Sequence, residues 1–288
     1  MSIGVSRPEK TPDRLYENRL YGISRFLWVR NSYSSIQNIL QIINPPSPKM
    51  RNQSIFEGFD INQCLESMRH DAVAFGLHLP TEMTEEILEY ASQHFCMEPG
   101  YSQKFLVTDV KEGCLPDGHQ LTRALVLLPY GGEGISDCPA IEQLVEDPIL
   151  LQIAHDYLHY WPTRITRHLT WALASNLPEQ EIKKRFPPTT FHFDIAGYNF
   201  MTVYFYITDV DISSGAHVMI KASHGRKPRG FLASGRHTDS AVLTHYGKEN
   251  QIAITGKGGY GFVQDPSCFH KVIPPVTANR LLLQIRYS

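Results

Sequence analysis

One histidine and one aspartate stand two positions apart in the segment Thr190-Phe191-His192-Phe193-Asp194. Side chains of a β-strand alternate between its two faces, so His192 and Asp194 point the same way and the two phenylalanines point the other way. An imidazole and a carboxylate placed like this can occupy two adjacent positions on one metal ion. A third ligand must then come from elsewhere in the chain.

His270 is the best candidate for that third ligand, because it begins a β-rich segment far downstream of His192. Two histidines and one carboxylate on one face leave three coordination positions open, which is the facial triad of non-haem Fe(II) oxygenases. A His-x-Asp pair alone is a weak signal in a chain with 13 histidines. The strand context and the downstream histidine together carry the prediction of a metal site.

A guanidinium follows the third ligand. Arg280 stands beyond a proline-rich turn at the start of the last β-rich run, and such a group binds a carboxylate through two parallel hydrogen bonds. We therefore expect Arg280 to bind the far carboxylate of a dicarboxylic co-substrate. Arg286 has the same face parity and is the alternative. Thr202 and Tyr204 share one parity on another predicted strand and are further candidates for hydrogen bonds to the co-substrate.

Basic residues cluster in the loop 225–247. Arg226, Lys227 and Arg229 are candidates for binding an anionic group of the substrate, and a solvated basic loop is the equally weighted alternative. His217 is predicted to be solvated or capped.

The elements that must position these residues change character along the chain. Residues 1–55 form a leader, residues 56–165 are predicted to be mainly helical, and residues 166–288 contain short β-rich runs separated by turn signals. Helices first and strands later indicate an α+β fold class. Several short strands with regular turns predict a sandwich or jelly roll. Residues 56–288 are therefore predicted to form a single domain.

The leader contains one predicted helix between Leu20 and Ile43 and ends at the breaker Pro45-Pro46-Ser47-Pro48. Polar residues interrupt its apolar run, so it does not reach the roughly 20 apolar residues that a transmembrane helix needs. A helix packed on the β core is favoured over a helix lying on a membrane surface.

The composition excludes several classes of protein. Hydrophobic residues make up 42% of the chain and charged residues 19%, which is enough apolar material for a sizeable core. The net charge of -2 gives no long-range field that would attract nucleic acid. Five cysteines without a C-x-x-C pair disfavour a zinc ribbon or a disulfide framework and favour a cytoplasmic setting. The N-terminus lacks the apolar core of a signal peptide.

Several segments resemble the phytanoyl-CoA dioxygenase family of Fe(II)/2-oxoglutarate oxygenases. Phe191 to Asp194 is similar to the first metal-binding segment of that family. Lys221 to His224 is similar to its Gly-Ser-His element, with alanine in place of glycine. Asp265 to Arg280 is similar to the segment with the second metal histidine and the 2-oxoglutarate arginine. The likeness covers roughly residues 56–288.

The resemblance implies a double-stranded β-helix with helical N-terminal additions, Fe(II) held by His192, Asp194 and His270, and 2-oxoglutarate held by Arg280. The family spacing between the second histidine and the arginine fits Arg280 and does not fit Arg286. The implied reaction uses O2 to oxidise a small-molecule metabolite and releases succinate and CO2. Halogenating relatives replace the carboxylate with a small residue, so Asp194 favours oxygenation. A cupin-like metal hydrolase or isomerase and a non-enzymatic jelly-roll binding protein remain the alternatives.

Overall fold

Helices precede most of the strands in this chain. The computed structural model describes residues 19–126, 135–225, 227–232 and 235–288. Its helices are α1 (Leu27–Ile43), α2 (Ile61–Asp71), α3 (Thr81–Gln93), α4 (Pro139–Val145), α5 (Pro148–Leu158), α6 (Glu179–Arg185), α7 (Arg229–Leu232) and α8 (Asp239–Tyr246). Its strands are β1 (Val73–His78), β2 (Cys96–Met97), β3 (Arg123–Val126), β4 (Ile165–Ala172), β5 (Phe191–His192), β6 (Met201–Tyr206), β7 (His217–Ile220), β8 (Arg236–His237), β9 (Gln251–Ile254), β10 (Tyr260–Gln264), β11 (His270–Val272) and β12 (Arg280–Tyr287). The predicted α+β class is confirmed.

The described strands form two antiparallel sheets. The larger sheet has the order β1-β10-β6-β12-β4-β3-β2, and the smaller has the order β8-β5-β11-β7-β9. One buried cluster contains Tyr204 and Leu282 from the larger sheet together with Met219 and Ile254 from the smaller. The two sheets therefore pack face to face.

Strand β12 shows how the alternation of side chains separates the core from a cavity. It pairs with β4 on one side and with β6 on the other. Its odd-numbered residues enter the main hydrophobic core: Leu281, Leu283, Ile285 and Tyr287. Its even-numbered residues line a cavity between the sheets: Arg280, Leu282, Gln284 and Arg286. The predicted run from 280 to 287 and its parity are confirmed.

In residues 56–165, the predicted break at Pro148 is present. The strand β1 in the same region was not predicted. Asp147 caps α5 by accepting the backbone N–H groups of Ile149 and Leu150, and Pro148 fits the first turn, where its missing N–H is not needed. Strand β1 lies inside the region predicted to be mainly helical and pairs with β10 at the edge of the larger sheet. The described part of 56–165 still contains more helix than strand, as predicted apart from β1.

The described part of the leader, from residue 19 onward, packs against the rest of the chain. A 3-10 segment at Arg19–Arg25 precedes α1, and Arg30 of α1 forms an ion pair with Asp265 at 2.6 Å. Among the described residues, no helix is long and apolar enough to cross a bilayer.

Candidate metal centre and adjoining cavity

Three ligand-type side chains converge in the cavity between the sheets. Strands β5 and β11 are neighbours with His192 opposite His270, so the two imidazole rings lie side by side with their centroids 4.4 Å apart. Asp194 follows β5, where its backbone N–H donates to the carbonyl oxygen of Pro266 at 2.8 Å. Its Oδ1 atom lies 3.8 Å from Nε2 of His192 and 3.7 Å from Nε2 of His270. Within the described part of the chain, this is the one cluster of three such side chains close enough to hold a metal ion.

Backbone carbonyls orient both histidines. Nδ1 of His192 lies 2.9 Å from the carbonyl oxygen of Thr190, and Nδ1 of His270 lies 3.0 Å from that of Cys268. A carbonyl only accepts hydrogen bonds, so each Nδ1 carries the proton and each Nε2 presents its lone pair to the shared centre. Burial and the neighbouring His192 lower the pKa of His270 to about 4, which keeps that ring neutral and able to bind a metal.

Arg286 holds the carboxylate from the opposite side. Its Nη2 atom donates to Oδ2 of Asp194 at 2.7 Å, which leaves Oδ1 turned toward the histidines. Burial alone would raise the pKa of Asp194, but Arg286, His270 and His192 more than offset that effect and lower it. The carboxylate is therefore ionised and presents one oxygen. Arg286, the alternative candidate for the co-substrate, is engaged with the carboxylate of Asp194.

The donor set fits a small octahedral cation. Adjacent ligands about 2.1 Å from such an ion lie about 3.0 Å apart, so the two separations between Asp194 and the histidines need to close by about 0.7–0.8 Å. Two imidazoles and one carboxylate are the donors of the non-haem Fe(II) facial triad. Cys268 does not join them. Its buried thiol accepts from Nε2 of Gln264 at 3.1 Å, and burial raises its pKa, so it remains protonated.

A cavity of about 310 Å³ adjoins the three ligands and is lined by both sheets. Arg280 lies in its wall and is 2% exposed. Its Nη1 donates to the carbonyl oxygen of Gly215 at 2.6 Å, and its Nε has no partner. Gly215 adopts a φ of +101°, and a Cβ there would lie 3.6 Å from the Arg280 side chain. Burial lowers the pKa of Arg280, and no ion pair to a carboxylate is found for it among the described residues.

His217 lies beside Arg280 and is buried, with 3% of its surface exposed. Its ring stacks on that of His270 at 5.3 Å, it lines the cavity, and its Nε2 has no partner. Burial, together with His270 and Arg280, lowers its pKa well below the ordinary value, so the ring is neutral. The prediction that His217 is solvated or capped is wrong. The apolar residues on both faces of β7 were the available signal, because they mark a strand that is buried on both sides.

Of the two predicted hydroxyl contacts, Tyr204 reaches the cavity and Thr202 does not. Tyr204 lines the cavity and stacks on Phe262 at 5.0 Å. Thr202 is fully buried and is absent from the described lining of the cavity. Its Oγ1 instead accepts from Nε of Arg286 at 3.4 Å.

The basic residues that were candidates for binding the substrate do not line the cavity beside the His-Asp-His cluster, as far as the structure describes them. Arg226 falls outside the described residues. Lys227 is 7% exposed, donates to the carbonyl oxygen of Ser267 at 2.5 Å and lies over the ring of Phe193. Burial lowers its pKa to about 8. Arg229 is exposed on α7, and neither it nor Lys227 lines the cavity.

Comparisons with known proteins match this chain to solved structures. No protein-family model matches the chain, and a search of curated proteins finds no match. Solved structures of non-haem 2-oxoglutarate-dependent enzymes share its fold. The chain is similar to EvdO2 from Micromonospora carbonacea var. aurantiaca, with a TM-score of 0.51 and 13% identity over 82% of this chain and 93% of that one. It is also similar to the non-heme alpha ketoglutarate dependent epimerase SnoN from nogalamycin biosynthesis, with a TM-score of 0.50 and 16% identity over 79% of this chain and 82% of that one.

Proposed function

We propose that this protein is an Fe(II)- and 2-oxoglutarate-dependent oxygenase of a small molecule, built on a double-stranded β-helix. The observation that carries the proposal is a buried arginine without a counter-charge in the same cavity as a His-Asp-His cluster. The resemblance of residues 56–288 to the phytanoyl-CoA dioxygenase family and the shared fold with 2-oxoglutarate-dependent enzymes support it.

The buried guanidinium of Arg280 predicts the charge of its ligand. Removing a cation from water costs several kcal/mol unless an anion accompanies it. Arg280 has one carbonyl partner and an unused Nε–H, so a carboxylate that enters the cavity gains a charge-assisted hydrogen bond there. His217 presents a second unused polar atom in the same cavity. A metal hydrolase needs no such group, whereas a dicarboxylate such as 2-oxoglutarate has one carboxylate for the metal and one for Arg280.

Each residue of the cluster then has a defined task. His192, His270 and Oδ1 of Asp194 would hold Fe(II), and Arg286 keeps the second oxygen of Asp194 away from the ion. Three protein ligands would leave room on the ion for 2-oxoglutarate and for O2. Bound iron would supply O2 activation coupled to the oxidative decarboxylation of 2-oxoglutarate to succinate and CO2.

The remaining lining constrains the substrate. His168, Thr170 and Gln284 give the larger sheet a polar surface inside the cavity. Burial and the nearby Arg286 lower the pKa of His168 to about 4, so this ring is a neutral hydrogen-bonding group near pH 7. A cavity of about 310 Å³ lies at the lower end of the range for ligand sites. Lys227 and Arg229 are absent from the described lining of this cavity, so we assign neither a contact with the substrate there.

Succinate production tests the proposal. Purified protein loaded with Fe(II) should convert 2-oxoglutarate to succinate in the presence of O2, and a metabolite that fits the cavity should accelerate the reaction. His192→Ala should lose both the metal and the succinate. His245→Ala is the matched control, because this exposed histidine lies outside the cavity. Protein that binds the metal but not 2-oxoglutarate contradicts the proposal and favours another metal-dependent reaction.

A further inference from the structure

Helix α1 turns most of its large apolar side chains to solvent, and its protein-facing side carries Arg30, Ser34 and Gln41 beside Val29 and Tyr33. Its buried residues include Arg30 and Ser34. Its outward stripe consists of Trp28, Ser32, Ile36, Ile39 and Ile43, which follow the three- and four-residue spacing of one helix face. Trp28 is 69% exposed and Ile43 is 76% exposed. Amphipathic helices of globular proteins normally show the opposite arrangement.

Specific bonds hold α1 in this orientation. Arg30 donates to Asp265 at 2.6 Å and to Oδ1 of Asn199 at 2.9 and 3.0 Å, and it also bonds to Ser267. The hydroxyl of Ser34 accepts from Nδ2 of Asn199 at 2.8 Å. Rotating the helix to bury its apolar stripe would break these bonds and leave Asp265 without its counter-charge. The outward direction of the stripe is therefore fixed by the rest of the fold.

A second pair of bonds anchors the C-terminal half of the helix. The side chain of Gln41 accepts from the backbone N–H of Trp161 at 2.7 Å and donates to the carbonyl oxygen of the same residue at 2.8 Å. Both halves of α1 are thus held by polar contacts, and neither half can turn inward alone.

The exposed apolar surface is large. Nine big apolar side chains of the segment 23–43 are exposed: Ile23, Phe26, Leu27, Trp28, Ile36, Ile39, Leu40, Ile42 and Ile43. At a little over half exposure each, they offer on the order of 800 Å². Summed over the nine side chains, that area is comparable with one partner's share of a standard interface.

The charge pattern of this surface distinguishes between a membrane and a second copy of the chain as its binding partner. Arg25 and Arg30 are the two charged residues in 23–43: Arg30 is buried, and Arg25 is half-buried with its guanidinium donating to the carbonyl oxygens of Gly22 and Leu232. A helix that lies on a bilayer usually places Lys and Arg beside its apolar face to meet the headgroups, and α1 offers none there. An uncharged apolar face meets no repulsion from an identical face, as a two-fold interface requires.

From this surface we infer that α1 is the dimer interface of this protein, packed against α1 of a second copy of the chain. The two copies bury their apolar stripes together around a two-fold axis. This inference does not depend on the proposed reaction.

Sedimentation velocity on the full chain across a range of concentrations tests the inference. The unaltered protein should sediment as a dimer. The double variant Ile36→Glu, Ile39→Glu should raise the dimer dissociation constant by at least about 100-fold, because a symmetric interface then buries four unpaired carboxylates. Circular dichroism should be unchanged, since both side chains are exposed.

Ile212→Glu is the matched control. Ile212 is 54% exposed and Ile36 is 55% exposed, but Ile212 lies outside the leader, so this variant should remain dimeric. An unaltered protein that sediments as a monomer at tens of micromolar, or a double variant that stays dimeric, overturns the inference. Monomeric protein that floats with phosphatidylcholine vesicles also overturns it and identifies a membrane as the occupant.

Discussion

Replacing Arg280 with methionine removes a buried positive charge and keeps most of the side-chain volume. The structure predicts opposite effects on stability and on co-substrate binding. Without 2-oxoglutarate, Arg280 is 2% exposed and has a single carbonyl partner. Arg280→Met should therefore leave the free energy of unfolding unchanged or raise it by roughly 1–3 kcal/mol.

The same change should weaken 2-oxoglutarate binding strongly. Removing one partner of a buried, hydrogen-bonded charge pair costs about 2–5 kcal/mol, which corresponds to a dissociation constant about 30-fold to about 5,000-fold higher. At 2-oxoglutarate concentrations 100 times the unaltered protein's dissociation constant, the ligand stabilises that protein by about 2.7 kcal/mol. For the variant this gain should fall to about 0.9 kcal/mol or less.

Urea unfolding of zinc-loaded protein with and without 2-oxoglutarate measures both effects. 2-Oxopentanoate, which lacks the far carboxylate, is the matched ligand. The unaltered protein should prefer 2-oxoglutarate strongly, and Arg280→Met should bind the two acids with similar affinity. Arg280→Lys keeps the charge without the two-pronged geometry and should lie between them.

Two outcomes would refute this reasoning. If Arg280→Met unfolds more easily and still prefers 2-oxoglutarate, Arg280 has a structural role. If the unaltered protein binds both acids equally, the far carboxylate is not bound in this cavity.

Three further changes have defined outcomes. His217→Phe should weaken 2-oxoglutarate binding about 10-fold or more in a calorimetric titration, because a hydrogen bond to a charged group is worth about 1.5–3 kcal/mol; unchanged affinity would exclude this residue from the site. Arg30→Met should lower the urea unfolding free energy by about 3–5 kcal/mol, because it leaves a buried carboxylate at Asp265, and adding Asp265→Asn should recover part of that loss. The folded-state pKa of His168, about 4, lies below its unfolded value near 6.5. The unfolded chain therefore binds the extra proton between these pH values, and stability should fall as pH drops through this window. His168→Gln should reduce the slope by at most about 1.4 kcal/mol per pH unit, and an unaltered slope would show that His168 already titrates normally in the folded protein.

Features with a local cause could be predicted from the sequence. The break at Pro148 depends on residues beside it, and the strand β12 depends on its own run of apolar residues. The pair His192 and Asp194 share a face because of the strand period alone. Their meeting with His270 was predicted from context, and the structure brings the three side chains together.

Features that depend on distant partners could not be predicted. In the sequence, Arg30 is a single charge within an apolar helix. Its partner Asp265 is 235 residues away, so the direction in which α1 faces was not predictable. Strand β1 contains Gly76 and a shift in register, and it is stabilised by pairing with β10 near the other end of the chain. The sequence predicts that Lys227 is a cation in a loop. In the fold, its ammonium donates to the carbonyl oxygen of Ser267 and lies over the ring of Phe193.

The pairing of His192 with His270 affects the conformational entropy of the unfolded chain when both residues bind one ion. Strand β5 is two residues long, so few ladder bonds hold it against β11. An ion bound by both histidines ties the chain into a closed loop of 79 residues, from 192 to 270 inclusive. The chain-entropy relation for a cross-link of that size gives about 4–5 kcal/mol. An ion in this position would fix the register of the two strands, and its removal would loosen the protein as well as end the proposed reaction.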